Sequence, residues 1–182
     1  EFDDFIAWFA GLEIKNKVLI AGNHDTWALK QYNRDKVKDF GIHYLEHEYL
    51  ELDGKLIFGS PYTPNFGTWH FMKDRSKLGK YWEALTENID ILVTHGPPKG
   101  ILDLSHDRDH KLEYCGDSAL FKAICKTNPK YHQFGHIHDS KDCYNSGVLK
   151  LSSLNTIFVN ASCVTDDKFN QGVSSYGQVF DI

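Results

Sequence analysis

Six polar side chains able to bind metals or move protons stand where short apolar runs stop: Asn23, His24, Asp25, His95, His136 and His138. Val18-Leu19-Ile20-Ala21 reads as a buried strand, and Gly22-Asn23-His24-Asp25 follows it in one tight loop. A second apolar run over 89–94 stops at His95-Gly96-Pro97-Pro98. A third over 131–134 stops at Gly135-His136-Ile137-His138. Imidazole nitrogens with an amide oxygen suit Mn, Fe, Zn, Ni or Co, and imidazole moves protons near neutral pH. One histidine after a strand is more often a hydrogen-bonded structural residue. Three strand ends with Gly-flanked histidines form a joint pattern, at the edge where open α/β sheets bind ligands. His136 and His138 share a face on a strict strand, and on a turn they can point at two adjacent ions. Asn160 is a further strand-end amide. His43, His47, His70, His106, His110 and His132 read mostly as structural or solvated residues.

The elements that must position these groups follow from hydrophobic period and turn chemistry. Helices are predicted over 3–12, 26–40, 76–87 and from Asp117 or Ser118 to Lys126. Phe5, Ile6, Trp8, Phe9 and Leu12 recur at helical spacing in the first, and Trp27, Leu29, Tyr32, Val37 and Phe40 are candidates for the buried side of the second. Strands are predicted over 17–21, 89–94, 131–134, 156–161 and 178–182. Asp53-Gly54 signals a hairpin between Tyr49-Leu50-Glu51-Leu52 and Leu56-Ile57-Phe58-Gly59. The stretch 66–72, with Phe66, Trp69 and Phe71, is an aromatic loop that either covers a site or tucks against the core. The stretch 103–110 reads as a polar loop. Alternation of strands and helices means α/β, and the hairpin and a C-terminal strand pair add antiparallel character. The expected architecture is two mixed β-sheets packed as a sandwich flanked by helices.

The chain has 182 residues, 41% apolar and 25% charged, with a formal net charge of −5. That is a globular composition for one domain. No Lys/Arg run argues for nucleic-acid backbone binding. Cys115, Cys125, Cys143 and Cys163 form no Cys-x-x-Cys pair and read as mostly free, in a reducing cytoplasmic compartment. No apolar run approaches membrane-helix length.

Gly22-Asn23-His24-Asp25, Thr94-His95-Gly96-Pro97-Pro98 and Gly135-His136-Ile137-His138 resemble the last three of five signature blocks of the calcineurin-like metallophosphoesterase superfamily. The resemblance covers nearly the whole chain, and the blocks together are far more specific than any one of them. With Val159-Asn160-Ala161-Ser162 following, the pattern looks closest to the small metallophosphoesterase-domain (brain-type) phosphodiesterases. In some members of that branch a glycine replaces a metal-binding histidine of the last block; His136 and His138 are both present here. The family's opening Asp-x-His and Gly-Asp blocks have no counterpart. Residues 1–182 therefore resemble a single metallophosphoesterase domain lacking its N-terminal portion and strands.

The resemblance implies a metal-dependent phosphodiesterase with two divalent transition metals, manganese favoured. Asn23, His95 and His136 would hold one ion, and His138 alone would remain for the other. A metal-bridged hydroxide would attack phosphorus in line with the leaving ester oxygen. His24 would sit beside the leaving group and donate a hydrogen bond or proton, while Asp25 orders the loop. Phosphomonoesters rank second as substrates, and a cyclic nucleotide is the substrate suggested by the family. Two accounts of the missing blocks fit: a segment present in the natural protein but absent from this chain, or a truncated form. The first is favoured, because two lost central strands would expose long edges and 89–93 needs neighbours on both sides. An upstream or complementary segment supplying the missing Asp and His ligands is thus an expected partner. Two alternatives stand beside the hydrolase: a catalytically degenerate binding or scaffold protein, and a nuclease of the same superfamily, which the acidic balance counts against.

Overall fold

The computed structural model describes residues 1–107, 109–140, 142–165 and 177–179. In chain order the elements are α1 (Phe2–Gly11), β1 (Lys17–Leu19), a 3₁₀ turn (Thr26–Leu29), α2 (Gln31–Asp39), β2 (Ile42–Tyr44), β3 (Glu48–Leu52) and β4 (Lys55–Ser60). There follow β5 (Thr63–Pro64), β6 (Met72–Lys73), α3 (Arg75–Trp82), β7 (Ile91–Thr94), β8 (Leu104–His106) and β9 (Leu112–Tyr114). The series closes with α4 (Ser118–Thr127), β10 (Tyr131–Phe134), β11 (Gly147–Lys150) and β12 (Ile157–Asn160).

Six strands form the main sheet in the order β11-β12-β10-β7-β4-β3. The inner four are parallel, and β3 and β11 run antiparallel at the two edges. Asp53 and Gly54 both take positive φ, 48° and 72°, which is what a two-residue turn matching strand twist requires. β1 and β2 form a separate parallel pair. Side chains alternate across the main sheet as the strand period demands. Phe58, Leu92, Phe134 and Phe158 face Leu78 and Trp82 of α3 and Leu120 and Ile124 of α4. Ile57, Ile91 and Val93 face the other way, toward Val18, Ile20 and Leu45 at the β1–β2 pair. Beyond that pair, Ile42 and Tyr44 pack with Ile6 of α1 and Val37 of α2. The layers are helix, sheet, sheet, helix. Gly59 lets the two sheets meet closely: a Cβ there would stand 2.5 Å from Leu45 Cβ.

The register levels the carboxyl ends of the parallel strands. Ser60 pairs with Thr94, Val93 with Gln133 and Phe134 with Asn160. Histidines that follow β7 and β10 therefore emerge side by side.

Several local expectations are corrected. The predicted helix over 26–40 is a 3₁₀ turn and a separate α2, with Lys30 extended between them (φ −104°, ψ 122°). The break turns Trp27 onto Phe2 and Tyr44, and α2 caps the exposed carbonyls: Asn33 Nδ2 donates to Trp27 O and Arg34 Nη1 to Ala28 O. Leu29 and Tyr32 consequently point outward, 51% and 75% exposed. The polar loop expected over 103–110 holds β8, which pairs with β9 in an antiparallel hairpin. The antiparallel partner of β12 is β11. Of the strand predicted over 178–182, Gln178 and Val179 carry no regular structure and the remainder lies outside the described residues. β7 has both its neighbours, β4 and β10, within this chain. Among the described residues β1 pairs with β2 alone. A cavity of about 410 Å³ lies between Val18 and the facing Ile57, Ile91, Val93 and Gln133.

Candidate functional site

The two sheets converge on one loop cluster. Asn23 follows β1, while His95 and His136 follow β7 and β10. His95 Nε2 donates to Asn23 Oδ1 at 2.7 Å. The His95 and His136 rings lie with centroids 4.5 Å apart, tilted by 55°. Backbone bonds lock the level: His95 N–H donates to Ser60 O at 3.1 Å, and Gly135 N–H to His95 O at 3.0 Å. Glycines clear the space. A Cβ on Gly22 would stand 2.6 Å from His95 Cε1, and one on Gly96 would strike Thr63 Oγ1. His136 takes φ +71°, a left-handed backbone that non-glycine residues hold at a cost of about 1–3 kcal/mol, and such outliers cluster at functional sites.

Burial first, and then the neighbouring His136, His24 and His138, push His95 down to about 3. A neutral imidazole is the form that ligates metal. His24 is exposed, and its ring sits 4.2 Å from that of Trp69. The His70 N–H donates to Asn23 O at 3.2 Å, tying the aromatic loop to the site. Phe71 turns inward and packs with the cluster around Tyr44, whereas Phe66 and Trp69 stay at the surface. Asp25 orders its loop: Oδ2 accepts from Gly22 N–H at 2.6 Å and Oδ1 from Trp27 Nε1 at 3.0 Å.

Asn160 belongs to the scaffold. Its Nδ2 donates to Leu102 O and Ile137 O, and its Oδ1 accepts from Ser162 N–H. Asn145 holds the next turn, donating through Nδ2 to His138 O at 2.9 Å. Sequence reasoning missed Asn145, a polar residue in a polar stretch whose long-range partner only the fold reveals. Asp103 is buried, with Oδ2 accepting from Gly100 and Gly116 N–H.

Asn23, His95 and His136 fit one divalent ion by donor chemistry. Two ligands about 2.1 Å from a shared ion at a right angle stand ~3 Å apart, close to the Asn23–His95 spacing. Among the described residues, no three His, Cys, Asp or Glu side chains gather to hold an ion. For a second ion this donor set leaves His138 alone.

A profile of the calcineurin-like phosphoesterase family matches residues 1–140, the part of the sandwich that carries the strand-end histidines. The chain belongs to that family, whose members use divalent metal ions to hydrolyse phosphate esters. It is similar to metallophosphoesterase domain-containing protein 1 of Homo sapiens, 30% identical over 190 residues, covering 91% of this chain and 55% of that protein. UPF0046 protein T07D4.2 of Caenorhabditis elegans is 32% identical over 213 residues, covering all of this chain and 50% of that protein. The chain thus spans about half the length of these curated relatives. The crystal structure of TT1561 of Thermus thermophilus shares the fold, with TM-score 0.55 and 14% identity over 89% of this chain and 70% of that one. No helix among the described residues is long and apolar enough to cross a membrane.

Proposed function

We propose that this chain carries the histidine half of a phosphodiesterase site acting on nucleotide-type esters, a cyclic nucleotide among them. The meeting of Asn23, His95 and His136 at the end of both sheets supports this reading. Asn23 Oδ1 and the neutral imidazoles of His95 and His136 would hold one ion, and His138 would face a second. A bound divalent ion, manganese first among the candidates, supplies positive charge for the phosphate oxygens and a more acidic water. This chain's own residues do the rest. His24, exposed at the mouth and backed by Trp69, donates a hydrogen bond or proton to the departing ester oxygen. Asp25 holds the Gly22–Asp25 turn so that Asn23 and His24 face the same opening. Buried Thr63 and the glycines keep the rings packed against one another.

All four proposed ligands are neutral, so a divalent ion here calls for carboxylates from beyond this donor set. A complementary segment bearing Asp and His residues is therefore part of the proposal. Hydrolysis of bis(p-nitrophenyl) phosphate with added Mn²⁺, by the full-length natural protein, tests it. Turnover that exceeds that of p-nitrophenyl phosphate and disappears with chelator is expected. Stoichiometric metal with no turnover of either ester would favour the binding or scaffold reading, which the absence of carboxylates among the four ligands supports.

A further inference from the structure

His132 takes no part in the site chemistry above, yet it is a polar residue fully buried in the middle of the main sheet. It stands on β10 between Leu92 of β7 and Phe158 of β12, with the Phe134 and Phe158 rings against its own. An apolar side chain would fill this place without desolvating a polar group. The imidazole uses one nitrogen: Nε2 lies 2.8 Å from Thr94 Oγ1, and among the described residues Nδ1 has no hydrogen-bond partner. Thr94 Oγ1 gives its single proton to Gly96 O at 2.7 Å, so it accepts from His132. The other tautomer would strand an N–H among aromatic rings and compete with Gly96 O for the threonine proton. The fold therefore selects a neutral imidazole that donates.

This chain of bonds ends at His95. Thr94 and Gly96 flank that residue, and the Thr94 hydroxyl reaches past it to close the turn. Ser60 O holds the His95 N–H and Gly135 N–H holds its carbonyl oxygen. Gly96 carries no side chain to hold it, because Thr63 Oγ1 occupies that space, and a glycine backbone turns freely unless its carbonyl is tied. We infer that His132 is a positioning residue for this loop: through Thr94 it fixes Gly96, and so the direction in which the His95 ring meets Asn23 and His136. It also joins the ends of β7 and β10, the two strands that deliver His95 and His136. A buried, uncharged donor sets a hydroxyl rotor that an apolar neighbour would leave to turn. Imidazoles that ligate metals take their direction from outer partners in the same way. The inference rests on the reading of His95 as a metal ligand given above.

Variants of the full-length natural protein test it. Thr94→Val keeps the shape of the threonine and removes the hydroxyl, and His132→Leu fills the buried place without a donor. Thr94→Ser and His132→Gln keep the hydroxyl and a donor. Mn²⁺ affinity by isothermal titration should fall about tenfold or more in Thr94→Val and in His132→Leu, and stay within about threefold of wild type in the conservative pair. The double variant Thr94→Val/His132→Leu should lose no more than the larger single loss, because both changes break one chain of bonds. The Asn23 side-chain amide, bonded to His95 and adjacent in the chain to neither substituted residue, gives a second readout. Its nuclear magnetic resonance signals in metal-free protein should shift in Thr94→Val and His132→Leu and hold in the conservative pair. Thermal melting identifies the folded variants, and Thr94→Val decides the matter if His132→Leu does not fold. If the wild type binds no Mn²⁺ but the Asn23 signals move in this pattern, the positioning role stands and the metal reading fails. A lowered melting temperature with Mn²⁺ affinity and Asn23 signals unchanged in Thr94→Val marks a merely structural contact and overturns the inference.

Discussion

Asn23 Oδ1 and His95 Nε2 are hydrogen-bonded at 2.7 Å although 72 residues separate them in the chain. The bond joins the loop after β1 to the loop after β7, so it ties the small sheet to the main one. Gly22 makes room for it, since a Cβ there would stand 2.6 Å from His95 Cε1 and 2.9 Å from Nδ1. Gly22→Ala should displace the His95 ring and weaken Mn²⁺ binding by about tenfold or more, measured by isothermal titration. Overpacking of this kind also costs about 1–3 kcal/mol of stability. An unchanged metal affinity in a folded Gly22→Ala protein would remove His95 from the proposed ligand set.

His24 is exposed, whereas His95, His136 and His138 are partly buried, and its ring lies 4.2 Å from that of Trp69 at a tilt of 52°. His24→Ala is expected to lower kcat by about 10²–10⁴-fold, the usual worth of a positioned acid, while bound metal per chain stays the same. Elemental analysis beside steady-state kinetics separates the roles. Equal loss of metal and turnover would make His24 a ligand or a structural residue. Trp69→Ala should lower kcat less, because it loosens His24 without removing the imidazole.

Acid should destabilise this fold through His132, which is fully buried against Phe134 and Phe158. Its Nε2 lies 2.8 Å from Thr94 Oγ1, which itself donates to Gly96 O at 2.7 Å. Nε2 therefore carries the proton and donates to Thr94, and Nδ1 has no hydrogen-bond partner among the described residues. Burial pushes the imidazole down to about 3. Between the ordinary value of 6.5 and that depressed value, the unfolded chain binds a proton that the native chain refuses. Stability is thus fully present above about 6.5 and falls as pH drops, by about 2 kcal/mol from pH 7 to pH 5 for this one group. His95 acts with the same sign. Urea unfolding of wild type and His132→Gln at the two pH values checks it. The variant should show a shallower acid loss by about 2 kcal/mol; parallel losses would refute the assignment.

Asp117 carries two jobs at the start of α4. Its Oδ1 accepts from Ala119 N–H at 2.8 Å as the helix cap, and its Oδ2 accepts from the buried Trp82 Nε1 at 2.5 Å. Asp117→Ala should cost about 2–4 kcal/mol, combining a lost cap with a stranded indole N–H. Trp82→Phe in the Asp117→Ala background should cost less than the two single changes added together. Chemical denaturation of the four proteins completes the double-mutant cycle.

Much of this was legible along the chain. The strand expected over 89–94, observed as Ile91–Thr94, is a run of apolar and β-branched residues, and local pattern suffices to place such a run. Asp53-Gly54 announced its hairpin because only certain residues tolerate positive φ at both turn positions. Asp117 announced α4 because a carboxylate at a cap meets backbone N–H groups only two residues away. Failures came where distant groups decided. Leu29 and Tyr32 have helical spacing, yet the 3₁₀ turn before α2 rotates them to solvent once Trp27 packs on Tyr44. β8 and β9 are polar strands whose pairing with each other outweighs their weak local signal.

The sequence by itself determined the chemistry on offer: an amide and four imidazoles at Asn23, His24, His95, His136 and His138, each just past a strand. Residue type and the stop of an apolar run are local properties, and one chain read in order displays them. Tertiary structure alone decided that Asn23, His95 and His136 share one point, that Asn160 is committed to backbone carbonyls, and that Phe66 stays at the surface while Phe71 faces the core. Those outcomes depend on strand register and on the packing of two sheets. Both are set by cross-strand hydrogen bonds and side-chain fit between residues far apart in the chain, which no local pattern encodes.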